Sequence, residues 1–183
     1  YADELEVIMR WGFDYMQEKD GGSVYLRLST KVIDQPKRKI SQEIEKHIIK
    51  GAYWHIPPIQ GAKVAIVYSG AVVPEVLEAY EQLREEIPEL GVLAITSSDK
   101  LFHEWHSSQT DHPKGEQFSD CHILELIRPL HSDAVLITVQ DAHPANLSWI
   151  GSASGRKLMT LGVAEFGQSG NIPDLYRSYG IDS

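Results

Sequence analysis

Four strand-like runs, set apart by helix-periodic stretches, constrain this chain most. Lys63 to Tyr68 (KVAIVY), Gly91 to Thr96 (GVLAIT) and Ala134 to Val139 (AVLITV) are apolar and rich in β-branched residues, and Lys157 to Val163 (KLMTLGV) closes the series. A strand with one wet face alternates apolar and polar residues, whereas a strand covered on both faces can stay continuously apolar. Between the runs the period changes. Pro74 to Glu86 places Val76, Leu77, Tyr80 and Leu83 on one helical face. Ser98 or Asp99 caps a second helix through Leu101, Phe102 and Trp105, and Ser119 caps a third that reaches Ile127 before Pro129. A fourth runs from about Pro144 to Ser152. The alternation predicts an α/β fold: three layers, a mainly parallel (mixed) sheet of about five strands, helices on both faces.

The flanks carry weaker signals. Asp3 to Lys19 sets Leu5, Ile8, Met9, Phe13 and Met16 at helical spacing on an acidic helix, which Gly21-Gly22 ends. Ser23 to Thr30 (SVYLRLST) reads as a strand, with Val24, Leu26 and Leu28 on one face. One helix and one strand cannot enclose a core. Residues 1–35 are therefore expected to be the tail of an upstream domain plus the start of a linker, and residues 36–183 the α/β domain. Lys37-Arg38-Lys39, beside Pro36, reads as solvated linker. A short helix over Ser41 to Lys50 presents Ile44 and Ile48, and an aromatic, proline-rich passage follows at Tyr53 to Pro58. At the other end, Pro173 suits the first turn of a closing helix and Gly180 the position just past it.

Charge and cysteine usage narrow the partners. A net charge of −9 argues against a nucleic-acid partner, which needs a clustered basic face. Cys121 is the single cysteine, which rules out an internal disulfide and suits a reducing cytosol. No apolar run approaches the ~20 residues of a membrane span and no signal peptide opens the chain, so a soluble, cytoplasmic protein is expected.

Candidate chemistry is sparse. His103 and His106, three apart on one helical face, can in principle share a zinc ion with His112, but the spacing is not HExxH and surface histidines are the simpler reading. Asp141 and His143 follow the AVLITV strand, and open α/β sheets bind ligands at strand carboxyl ends. Ser69-Gly70-Ala71 offers a strand end running into a helix N-terminus, without GxGxxG or P-loop spacing. With Ser97 these residues define a possible strand-end ligand site: Ser69, Gly70, Ser97, Asp141 and His143. Gly151 to Gly155 is not a nucleophile elbow, since Ala153 takes the nucleophile's place, and Cys121 reads as helix core. No catalytic or cofactor-binding residue is identified.

Four passages resemble one family in the right order. VYSGAVVPEVLEA (Val67 to Ala79), LGVLAITSSDKLFHEW (Leu90 to Trp105), ITVQDAHPANLSWIGS (Ile137 to Ser152) and the closing GRKLMTLGVAEFGQSGNIPDLYRSYGID (Gly155 to Asp182) are similar to the C-terminal domain of transketolase-like thiamine-diphosphate enzymes. The wording is nearest their homodimeric pyruvate dehydrogenase decarboxylating branch. The resemblance implies a full enzyme using thiamine diphosphate and magnesium, held between a pyrophosphate-binding and a pyrimidine-binding domain in a homodimer. Its diphosphate–magnesium motif and activating glutamate have no match here. Where transketolases read LSR, with a substrate-phosphate arginine, this chain reads Leu28-Ser29-Thr30, which favours a 2-oxo acid such as pyruvate over a sugar phosphate. Arg27 is off phase with Leu26 and Leu28 and does not simply replace that arginine.

The leading expectation is thus a C-terminal domain or subunit that supports dimerisation and the pyrimidine domain without performing catalysis itself. The alternatives are a stand-alone α/β ligand-binding or interaction module and a small histidine-rich metal-binding protein.

Overall fold

A computed structural model describes residues 1–110 and 121–182. Five strands form one sheet: β1 (Ala52–Ile56), β2 (Val64–Ser69), β3 (Gly91–Ile95), β4 (Val135–Gln140) and β5 (Lys157–Leu161). Their order is β1-β3-β2-β4-β5, with β1 antiparallel to β3 and the other pairs parallel. The aromatic Tyr53–Pro58 passage therefore supplies the antiparallel edge strand. Its period is masked because Tyr53 and Trp54 are both large and aromatic yet face opposite layers.

Seven helices accompany the sheet among the described residues: α1 (Ala2–Tyr15), α2 (Gln42–Lys50), α3 (Val73–Leu83), α4 (Ser98–Thr110), α5 (His122–Ile127), α6 (Trp149–Ser154) and α7 (Ile172–Tyr179). Strand residues divide by parity. Ala65, Val67, Leu93 and Leu136 pack with Leu101, Ile123, Ile127 and Ile150 of α4, α5 and α6. Ile66, Tyr68, Val92 and Val139 pack on the opposite face with Val7, Ile48, Val73 and Val76 of α1, α2 and α3. Both faces are covered, which explains the continuous apolar runs.

Local signals explain most helix ends. The Ser41 hydroxyl accepts from the Ile44 amide, and Gly180 closes α7 at φ +62°. Ser119 lies outside the described residues, and α5 begins after Cys121. The stretch after Pro144 divides into a 3-10 turn (Pro144–Leu147) and α6.

The N-terminal segment departs most from expectation. The helix stops at Tyr15, and residues 23–35 form neither helix nor strand and do not join the sheet. They form a strap across the carboxyl ends of the strands. Val7 of α1 enters the core, 5% exposed, with Ile8 of the apolar stripe packed against it, while Met9, Phe13 and Met16 stay at 42%, 59% and 43%.

Candidate functional site

The strand carboxyl ends and the strap enclose a cleft of about 1320 Å³. Parallel strands bring β2, β3 and β4 to this edge together, because each crossover helix returns the chain to the opposite edge. Ser69, Gly70, Ser97 and Asp141 all line the cleft. Gly70 sits at φ +87°, and an added Cβ would lie 1.9 Å from Asp141 Oδ1, so only glycine lets that carboxylate approach. Asp141 Oδ2 accepts from the Ala71 amide at 3.3 Å. The chain's own carboxylate thus takes an amide at the start of the β2–α3 turn, where an external anion was conceivable. Arg27 of the strap lies 3.7 Å from the other Asp141 oxygen.

The remaining strand-end groups are also committed. Ser69 donates to the Ile95 carbonyl at 3.4 Å, and Ser97 donates to Asp99 at 2.7 Å. Gln140, 3% exposed, donates to the His143 carbonyl at 2.9 Å. His143 is spent on its own turn: its Nδ1 accepts from the Ala145 amide at 3.2 Å and caps the 3-10 turn. Four of the five predicted strand-end residues converge, and His143 does not.

His103 and His106 are exposed on α4, where the His106 ring stacks on Phe102 at 5.7 Å and His103 meets its edge. His112 lies outside the described residues. Among the described residues, no three His, Cys, Asp or Glu side chains are placed to hold a metal ion. Cys121 is buried at the N-cap of α5.

Two polar clusters escaped sequence reading. The first centres on Arg38, which the basic run and neighbouring proline present as linker. Its Nε donates to Asp3 Oδ2 at 2.7 Å, and a terminal nitrogen donates to Asp3 Oδ1 at 3.1 Å and to Glu4 Oε1 at 2.9 Å. Its other terminal nitrogen donates to the Tyr53 hydroxyl at 2.9 Å, which in turn donates to Glu4. Burial and the Glu4 charge push the Tyr53 phenol well above its usual range. Beyond it, His55 Nδ1 and the Tyr68 hydroxyl lie 2.8 Å apart. Burial and then the Arg38 charge push the His55 imidazole below its ordinary value. The second cluster joins Lys31 of the strap to Glu75 of α3 and Tyr176 of α7.

Fold and cleft define a class: a three-layer α/β domain with a mixed five-stranded sheet and a strand-end cleft spanned by its own chain. The model of the family described as the Transketolase-like TK C-terminal domain matches residues 51–182, and the chain belongs to that family. Among solved structures, it is similar to transketolase from Leishmania mexicana, at 18% identity and a TM-score of 0.51, covering 75% of this chain and 17% of that one. Transketolase from Campylobacter jejuni subsp. jejuni NCTC 11168 gives 21% identity and a TM-score of 0.49, covering 73% and 17%. The chain thus spans about one sixth of the length of these solved relatives. No curated protein matches it in sequence.

Proposed function

We propose that this chain is the C-terminal domain or subunit of a thiamine-diphosphate-dependent enzyme, either a transketolase or a 2-oxo acid dehydrogenase of the pyruvate dehydrogenase kind. It seats the pyrimidine domain and contributes to a homodimer, in a cytoplasmic enzyme without nucleic-acid or membrane partners. The observation that carries this reading is the family match over residues 51–182. Residues 1–35, with α1 and the strap, then belong to the end of the pyrimidine domain. When bound in the full enzyme, thiamine diphosphate supplies an electron sink for the substrate carbanion, and magnesium holds its diphosphate. No diphosphate–magnesium motif and no match to the activating glutamate is recognised in this sequence, so the group is expected to be held by the other domains. The contribution of this chain is packing and positioning. Leu28-Ser29-Thr30 at the place of the LSR arginine favours a 2-oxo acid substrate.

Calorimetric titration of the chain with thiamine diphosphate and magnesium tests the reading. No saturable heat is expected, and adding the pyrimidine- and pyrophosphate-binding domains should restore both cofactor binding and pyruvate decarboxylation. Micromolar cofactor affinity in the chain alone would overturn it. The strand-end cleft supports one second reading, a stand-alone ligand-binding module. A small molecule that binds the isolated chain, and loses affinity in Ser97→Ala, would favour that alternative.

A further inference from the structure

We propose that Glu75 and Tyr176 form a pocket for a primary alkylammonium group, filled in this chain by Lys31 and open to competition from small primary amines. Lys31 Nζ lies 2.5 Å from Glu75 Oε1 and 4.6 Å from the centroid of the Tyr176 ring. A carboxylate on one side and an aromatic face on the other are the two elements that recognise an ammonium ion. The lysine side chain is only 15% exposed and the glutamate 19%, so this is a seated contact and not a surface ion pair. Glu75 Oε2 is buried and has no hydrogen-bond partner. That oxygen is acceptor capacity that Lys31 leaves unused and that a freely oriented amine can take.

The pocket draws on three distant parts of the chain. Glu75 comes from the first turn of α3 and Tyr176 from α7, while Lys31 belongs to the strap. Its neighbours along the strap are held lightly: Arg27 is 63% exposed and lies 3.7 Å from Asp141. Tyr25, Leu28 and Val32 are 87%, 61% and 95% exposed. Lys31 is therefore the firmest polar tether between Ser23 and Val32, and an amine that replaces it loosens the cover of the strand-end cleft. The recognised chemistry is N–H donation together with positive charge. Tetramethylammonium has the charge without a donor and should compete poorly.

Butylamine, whose stem matches that of lysine, is the probe. In Lys31→Ala the pocket is vacated, and butylamine at about ten times its dissociation constant should raise the melting temperature by about 3–6 °C over sodium chloride of equal ionic strength. The rise should vanish in Lys31→Ala/Glu75→Gln and shrink in Lys31→Ala/Tyr176→Leu. An equal rise in the glutamine double variant, an equal rise with tetramethylammonium, or no rise in Lys31→Ala overturns the proposal. The intact chain gives a second test that needs no folded variant. Butylamine should accelerate chymotryptic cleavage after Tyr25 relative to sodium chloride, and an unchanged rate refutes displacement of the strap.

Discussion

His122 shows how one buried side chain couples the fold to pH. It is 1% exposed, and its Nε2 lies 2.9 Å from the Ala52 carbonyl oxygen, so that nitrogen carries the proton. Its Nδ1 has no hydrogen-bond partner and sits 3.8 Å from Glu125. His47 faces it at 3.4 Å from α2, and Glu104 of α4 accepts from its backbone amide at 3.1 Å. Burial pushes the imidazole below its ordinary value, with the Ala52 carbonyl opposing and the charges of His47 and Lys50 adding to the shift. The folded state therefore disfavours protonation. Stability from this group is complete above the unfolded value of about 6.5 and falls as pH drops from there towards the folded value, by up to ~1.4 kcal/mol per unit. Glutamine keeps a donor for Ala52 and cannot titrate. Urea titrations at pH 7.5 and 5.5 should show a smaller acid loss in His122→Gln than in the parent; equal losses would rule the histidine out. Gly70 gives a second single-residue test. A methyl group there meets Asp141 in a left-handed backbone, so Gly70→Ala should cost about 1–3 kcal/mol in the same titration. A neutral result would mean that the Asp141 contact to the turn is dispensable.

At the scale of elements, Arg38 is the polar centre of the joint between α1 and the sheet domain, beside the apolar contact of Val7 and the Arg10–Glu45 ion pair. Burial alone would raise the Asp3 carboxyl, but the hydrogen bonds and charge of Arg38 outweigh it and hold the group below its usual value. Arg38 also lies over the Tyr1 and Tyr53 rings, at 5.1 and 5.5 Å from their centroids. One side chain thus serves α1, the linker and the edge strand β1. Charged hydrogen bonds of this kind are worth about 1.5–3 kcal/mol each when a partner is removed, less where water reaches them. Arg38→Ala should cost roughly 2–3 kcal/mol and leave the sheet intact. Hydrogen exchange provides the discriminating measurement. Amides of residues 5–15 should lose protection well before those of β2 and β4, and uniform loss would show that α1 is not a separately anchored element.

For the molecule as a whole, α1 leaves an apolar face in water. Phe13, Met9 and Met16 are exposed on its outer face. Burying a side chain of this size stabilises by ~1.5–3 kcal/mol, so three together favour association. The chain is expected to elute as a dimer, and Phe13→Asp with Met9→Asp should return it to a monomer without loss of unfolding free energy. Light scattering decides this. A monomeric parent would remove the dimer contribution from the proposed role while leaving the family membership untouched.

The sequence by itself determined the layered α/β architecture, four of the five strands and the helix end at Gly180. Periodicity and capping are local, set within a few residues, so they can be read without knowing the neighbours. Its family wording was equally legible. What the tertiary structure decided is long-range. The Tyr53–Pro58 passage became an antiparallel edge strand because β3 offered a free ladder, and Ser23–Thr30 became a strap because no described strand pairs with it. Of the strand-end site, Ser69, Gly70, Ser97 and Asp141 could be named from their places after strands, whereas the capping role of His143 chose its partner. Arg38 meets Asp3 across 35 residues and Lys31 meets Glu75 across 44. Such pairs leave no periodic trace, since each partner alone is an ordinary surface charge. Their energy exists only once the chain has closed those loops and removed the groups from water.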